Sequence, residues 1–189
     1  KDWSEKIVDM HSESENQYGP FRYGPAYPFN AMEPDLKASD LPLPPMYLNL
    51  NYRHSAAKNE SLTLQIELLD PMVESFMSGG ETFLALAAGE TDATRRENAR
   101  RLGWHGQYMA RCCLTARNVK AAVIAERAKD RAKVVEIARA EYANAKAALT
   151  LMRADSRLGW EPTMLYRGGP DMIDWKLRYM EERYGIGDK

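Results

Sequence analysis

Cysteine is almost missing from this chain. There are two in 189 residues, and they are neighbours, Cys112 and Cys113. Adjacent positions on a helix point about 100° apart, so a bridge between them would be strained. A disulfide framework is therefore excluded, and the pair reads as small buried filler that slightly favours a reducing, cytoplasmic setting over a secreted one. Histidine is scarce too. His11, His54 and His105 are the only three, and none stands in a metal-ligand spacing. A glycine-rich phosphate loop, a Gly-x-Ser-x-Gly elbow and a Cys-x-x-Cys pair are all missing. The expectation is no metal and no cofactor. Net charge is nearly absent as well: 26 basic against 27 acidic residues leave −1. That gives no electrostatic case for nucleic acid or an anionic membrane as partner. No apolar run approaches the roughly 20 residues of a membrane-spanning helix, and no secretory signal is visible. An initiator Met is missing, since the chain opens Lys1-Asp2-Trp3, so the expectation is a mature or excised piece of something longer.

What is present suits one domain, or one domain with an extension. Residues 3–14 carry Ile7, Val8 and Met10 among charged neighbours and could form a short helix that leans on something else. Seven of the ten prolines fall in residues 18–45, each removing a donor and fixing φ. Tyr18, Phe21, Tyr23, Tyr27 and Phe29 alternate with them, an aromatic density that disordered segments lack. The stretch reads as an extended strap whose rings pack on a neighbouring surface. Stacking of Tyr23 and Tyr27 on sugar is the functional alternative.

Residues 46–52 and 62–68 both alternate apolar and polar side chains. Period two predicts two half-buried strands, joined as a small antiparallel β-hairpin. Asp70-Pro71 then reads as an N-cap and first position. It opens a helix that buries Met72, Phe76, Phe83 and Ala87 and ends at Gly89, with Gly79 and Gly80 marking a close backbone approach or a kink.

The chain is organised around residues 91–160, which read as two long antiparallel helices. The first opens on a capping box, Thr94 to Glu97. Its seam is Leu102, His105, Met109, Cys112, Ala116, Val119 and Val123. The second starts near Asp130, and its seam is Val134, Ala138, Glu141, Ala145, Ala148 and Met152. The 3-4 spacing is a packing pattern, and the short link between them forces antiparallel packing. A last helix is predicted over residues 171–184, with Ile173, Leu177, Met180 and Tyr184 on its apolar face and Gly185 closing it. The fold class is thus mainly α, an antiparallel helical bundle with a long Pro/aromatic-rich strap and a small β-hairpin. Residues 1–60 form an extension leading into the hairpin (46–68), and residues 70–189 form the bundle.

Two polar residues interrupt the seams, His105 and Glu141, and each needs a partner if buried. Antiparallel register sets His105 near Met152 and Asp155, and Glu141 near Ala116. The functional reading is a His/Asp pair at one end of the bundle. The other is a hydrogen-bonded core histidine or a wet seam edge. Beyond the helix end lies a second polar group, Asp155 to Pro162. Arg157 can fork onto Asp155 or Glu161, and Trp160 offers a flat face. This is either a knot that locks the last helix onto the bundle or a platform on which Trp160 stacks and Arg157 and Glu161 bond hydroxyls.

Residues 138–162, which end Ala154-Asp155-Ser156-Arg157-Leu158-Gly159-Trp160-Glu161-Pro162, carry a resemblance. So do Tyr166-Arg167-Gly168-Gly169 and Ile173-Asp174-Trp175-Lys176-Leu177-Arg178, and more loosely the strap Tyr23 to Pro28. They resemble the C-terminal helical region of large bacterial proteins that look like glycoside hydrolases, related to the α-glucuronidase and hexosaminidase-like barrel enzymes of gut bacteria. The resemblance implies catalytic carboxylates on an upstream barrel that this chain lacks, so no catalytic residue carries over and the fragment is not expected to act as an enzyme alone. It implies an accessory domain whose partner is the upstream catalytic module, with oligosaccharide or a second copy as further partners. The alternatives are a stand-alone carbohydrate-binding module using Tyr23, Tyr27 and Trp160, and a protein-interaction bundle.

Overall fold

The computed structural model describes residues 24–27, 29, 58–159 and 169–187. Four helices account for most of them: α1 (Asn59–Gly89), α2 (Ala93–Arg127), α3 (Arg131–Ala154) and α4 (Pro170–Tyr184). One 3-10 turn, Gly24–Ala26, precedes them, and there is no strand among the described residues. The chain is mainly helical, as its periodicity indicates. The expected helix at residues 3–14 and the expected strand at residues 46–52 lie outside the described residues.

The expected second strand is overturned. Residues 62–68 belong to α1, which begins at Asn59 and runs unbroken past Asp70 and through Pro71. The segment Leu62-Thr63-Leu64-Gln65-Ile66-Glu67-Leu68 satisfies two periods at once. Its buried members are Leu62, Gln65 and Leu68, and Leu69 follows four residues after Gln65, a 3-and-4 spacing that belongs to a helix. Leu64 and Ile66 are only half-buried. Leu, Gln and Glu are strong helix formers, and only Thr63 and Ile66 are β-branched. Asp70 is therefore not an N-cap. Its carboxylate instead accepts from Arg117 Nε on α2 at 2.5 Å. Pro71 sits in the helix interior at a usual cost of about 3 kcal/mol.

α1 folds back on α2 over most of its length. The two backbones meet at glycines. A Cβ on Gly80 would lie 2.8 Å from the Gly103 carbonyl oxygen, and one on Gly106 would lie 2.9 Å from the Gly80 Cα. Gly80 thus marks the close approach expected of it, while a Cβ on Gly79 would meet nothing within 4 Å. Of the apolar face expected on this helix, Ala87 is buried, Met72 and Phe76 are half-buried, and Phe83 is exposed.

The cap of α2 lies two residues before the expected box. Asp92 is the N-cap and accepts from the Arg95 amide at 2.8 Å. Glu97 turns instead to Arg100 and Arg101 on its own helix. The α2 seam holds over its second half, where Cys112, Val119 and Val123 are buried, but Leu102 and His105 are exposed. α3 ends at Ala154, and Asp155 comes within electrostatic reach of Arg101. Nothing in α3 continues alongside the first turns of α2.

α3 follows its sequence closely. Asp130 caps it, accepting from the Lys133 amide at 2.9 Å. All six expected seam residues, Val134, Ala138, Glu141, Ala145, Ala148 and Met152, are buried. The turn into it is closed by Lys129 at φ 57°, a left-handed position that a non-glycine residue occupies at a cost. α4 starts with Pro170 at its first position and stops at Gly185, φ 61°, whose amide donates to the Glu181 carbonyl at 3.0 Å. Its apolar face is Met172, Ile173, Leu177 and Met180, with Tyr184 half-buried at its end.

The turn Gly24–Ala26 packs against α2, α3 and α4. Ala26, Tyr27 and Phe29 are part of the core. The Phe29 ring meets Tyr184 edge-on at 5.7 Å, and the Tyr184 hydroxyl donates to the Phe29 carbonyl at 3.3 Å. Gly24 has φ +50°, and a Cβ there would lie 2.8 Å from Cys112 Sγ.

Candidate functional site

The densest concentration of ionisable and polar groups lies inside the bundle, around Glu141. The alanines of α3 let the helices close in, so any polar side chain on that face is sealed from solvent. Glu141 is fully buried, as is Lys176 of α4. Lys176 Nζ donates to Glu141 Oε1 at 2.5 Å. Thr115 Oγ1 of α2 donates to the same oxygen at 2.7 Å. The other oxygen accepts from Asn118 Nδ2 at 2.8 Å and from Asn144 Nδ2 at 3.3 Å. Four donors therefore surround one carboxylate, about as many as its lone pairs accept. Lys176 Nζ donates a second bond, to the Pro25 carbonyl at 2.8 Å.

The cluster continues outward. Asn144 Nδ2 also approaches the Arg111 carbonyl and Thr115 Oγ1, at 3.1 and 3.0 Å. Arg111 Nη1 donates to Asn144 Oδ1 at 3.4 Å. Arg117 Nη1 donates to Asn118 Oδ1 at 3.5 Å, while its Nε holds Asp70. A polar chain thus runs from Asp70 on α1, through Arg117 and Asn118 on α2, Glu141 on α3 and Lys176 on α4, to Pro25 in the 3-10 turn. Every described element contributes at least one link.

Electrostatics agree with this sealing. Burial pulls the Lys176 ammonium below its usual range, and the Glu141 charge and hydrogen bond oppose that. Burial also lowers Arg111, again against the field of Glu141. Burial pushes the Cys112 thiol well above its usual range, with Cys113 adding to it, and pushes Cys113 to about 12. Both are free and buried, the inert filler that their position suggested.

The register places Glu141 opposite Thr115 and Asn118, beside the expected Ala116. The expected pairing of His105 with Asp155 is not formed. His105 is exposed on α2, and Asp155 is taken by Arg157. That fork is the expected one: Arg157 Nε to Asp155 Oδ1 at 2.8 Å and Nη2 to Oδ2 at 2.5 Å, with the Arg157 amide also on Oδ1 at 3.1 Å. The side-chain bond from Arg157 is the main reason the Asp155 carboxyl is held down to about 2. Beside it, Arg153 reaches Asp174 of α4 at 3.2 Å. Tyr27 is buried, 7% exposed, so its ring packs in the core and offers no open face. Tyr23, Trp160 and Glu161 lie outside the described residues.

Sequence reasoning singled out Glu141 but missed Lys176, Thr115, Asn118 and Asn144. The spacing carried a signal for most of them. Thr115 and Asn118 are three apart on one face of α2, and Glu141 and Asn144 are three apart on α3. Lys176 stands three residues after Ile173, inside the apolar stripe of α4. Among the described residues, no group of three or more His, Cys, Asp or Glu side chains could hold a metal ion. No helix of the described residues is long and apolar enough to cross a membrane. Comparison with family models, with curated proteins and with solved structures gave no match.

Proposed function

We infer that this chain is an accessory helical domain of a larger carbohydrate-active protein, and that it acts as a rigid brace beside a catalytic module carried elsewhere in the parent. The resemblance of residues 138–162 and of the run around Asp174-Trp175-Lys176 suggests the carbohydrate context. The observation that supports a bracing role is the polar chain from Asp70 to Pro25. Its central acid and base, Glu141 and Lys176, are both fully buried and bonded to each other. Groups placed in this way cannot reach a substrate. They fix the relative positions of three helices and a turn, because each misplaced element would leave a buried charge unpaired. Rigidity is what such a domain would contribute to a neighbouring cleft.

The rival reading, a free-standing sugar-binding module, loses one of its three aromatic platforms, since Tyr27 is packed inside. Two measurements test the proposal. The coding sequence on the N-terminal side of Lys1 should encode a barrel with paired acidic residues. Calorimetric titration of the chain alone against a panel of oligosaccharides should give no heat. An upstream sequence that encodes no such module would overturn the accessory-domain reading. Saturable heat that Trp160→Ala removes would replace it with the binding module.

A further inference from the structure

The large exposed apolar side chains of the described residues are three: Phe83, Leu86 and Leu102, exposed by 39%, 59% and 50%. All three line one open groove of about 610 Å³ at the end of the α1–α2 hairpin, together with Ala99, Glu90 and Arg95. Scattered singly, exposed apolar residues need no explanation; converging on one groove, they mark a contact surface.

The geometry of the bundle explains why they are exposed. Near Gly80, Gly103 and Gly106 the two helix backbones touch, so no room remains between them for large side chains. Beyond that crossing the α3 helix stops, and the loop that follows it brings Arg157 into the field of Glu97. α3 ends where Asp155 reaches the field of Arg101, and residues 93–100 of α2 extend about 12 Å further at 1.5 Å per residue. At that end of the hairpin Phe83, Leu86 and Leu102 form an exposed apolar stripe.

The charges on the groove select its occupant. Its lining carries one acid and one base, Glu90 and Arg95, and is otherwise uncharged. Glu90 uses one oxygen, Oε1, to hold the Asp92 amide at 2.9 Å. The Arg95 guanidinium makes no ion pair among the described residues. An apolar centre with one charge of each sign at its rim is complementary to itself under a two-fold rotation. A strongly acidic or strongly basic partner would satisfy only one of the two. We propose that the hairpin tip is a homodimer interface, in which two copies pack tip to tip through Phe83, Leu86 and Leu102, and Arg95 of each copy pairs with Glu90 of the other. The four helices brought together this way form a bundle around the groove residues. This inference stands apart from the carbohydrate reading and does not need it.

Sedimentation velocity of the intact chain tests it, at concentrations up to the order of 100 µM, where an interface of even modest affinity is populated. The wild type should sediment as a dimer. Leu86→Glu, on an exposed position that leaves the core untouched, should sediment as a monomer with an unchanged helical circular dichroism spectrum. Arg95→Glu should weaken the dimer by about tenfold or more, and the exchange Arg95→Glu with Glu90→Arg should restore it. A wild-type monomer throughout, or a dimer that Leu86→Glu leaves intact, overturns the proposal. A dimer that Leu86→Glu dissolves but Arg95→Glu does not affect overturns the two-fold pairing to which it commits.

Discussion

Lys176 and Glu141 face each other at 2.5 Å with no solvent exposure on either side chain. Their separate removal and their joint removal should have very different consequences. Removing one partner leaves a buried charge uncompensated, so Lys176→Met should cost about 3–5 kcal/mol of stability. Replacing the pair together, Lys176→Met with Glu141→Leu, should recover a large part of that loss, although Thr115, Asn118 and Asn144 then lose their common acceptor. Urea denaturation of the three variants gives the answer. Equal losses in the single and the double variant would mean that the pair carries no coupling.

Gly80 lies where the α1 and α2 backbones touch. A side chain there would strike the Gly103 carbonyl and the Gln107 amide, 2.8 and 2.9 Å from the Cβ. Both are backbone atoms and cannot swing aside. Gly80→Val should destabilise by about 1–3 kcal/mol, the usual range for overpacking. Gly79→Ala, one residue away with open space around it, should be neutral or slightly stabilising through helix propensity. Thermal melts of the two variants separate a crossing constraint from a general dislike of substitution.

Asp155 is held to about 2 by the Arg157 side chain, below the usual value of about 3.9. A depressed carboxyl contributes stability that is present above its unfolded value and fades as pH falls toward its folded value. The window is therefore between about pH 4 and pH 2. A carboxyl-detected NMR titration should show Asp155 titrating at the bottom of that range. In Arg157→Gln it should move up toward the ordinary aspartate value, and the acid sensitivity contributed by this residue should shrink with it.

Lys129 closes the α2–α3 turn at φ 57°. A non-glycine residue in this region is strained by roughly 1–2 kcal/mol, and glycine is free of the strain but loses more chain entropy on folding. The exposed Lys129 side chain makes no hydrogen bond or ion pair among the described residues, so little is lost with it. Lys129→Gly should stabilise the chain by some tenths of a kcal/mol up to about 1 kcal/mol, read as a raised melting temperature. A lower melting temperature would mean that the side chain contributes more than its geometry suggests.

The sequence by itself determined what depends on near neighbours. Asp130 caps α3 because its oxygen reaches an amide three residues on. Gly185 ends α4 because the left-handed conformation is open to glycine. The alanine-rich seam of α3 is buried in full because its spacing keeps one stripe on one face. The Arg157–Asp155 fork spans two residues, and it too was legible. Tertiary structure decided the rest. The alternation over residues 62–68 fits a strand and a helix alike, and the choice fell to helix within α1, which packs along α2 and is tied to it through Asp70 and Arg117. The cap of α2 at Asp92 rather than Thr94 was, by contrast, a local matter, since the Glu90 carboxylate accepts from the Asp92 amide and Asp92 accepts from the Arg95 amide. Lys176 lies 35 positions from Glu141 and 151 from Pro25. No local rule connects them; the pairing exists because packing α4 and the 3-10 turn against an alanine-lined helix brings Lys176 onto a buried carboxylate.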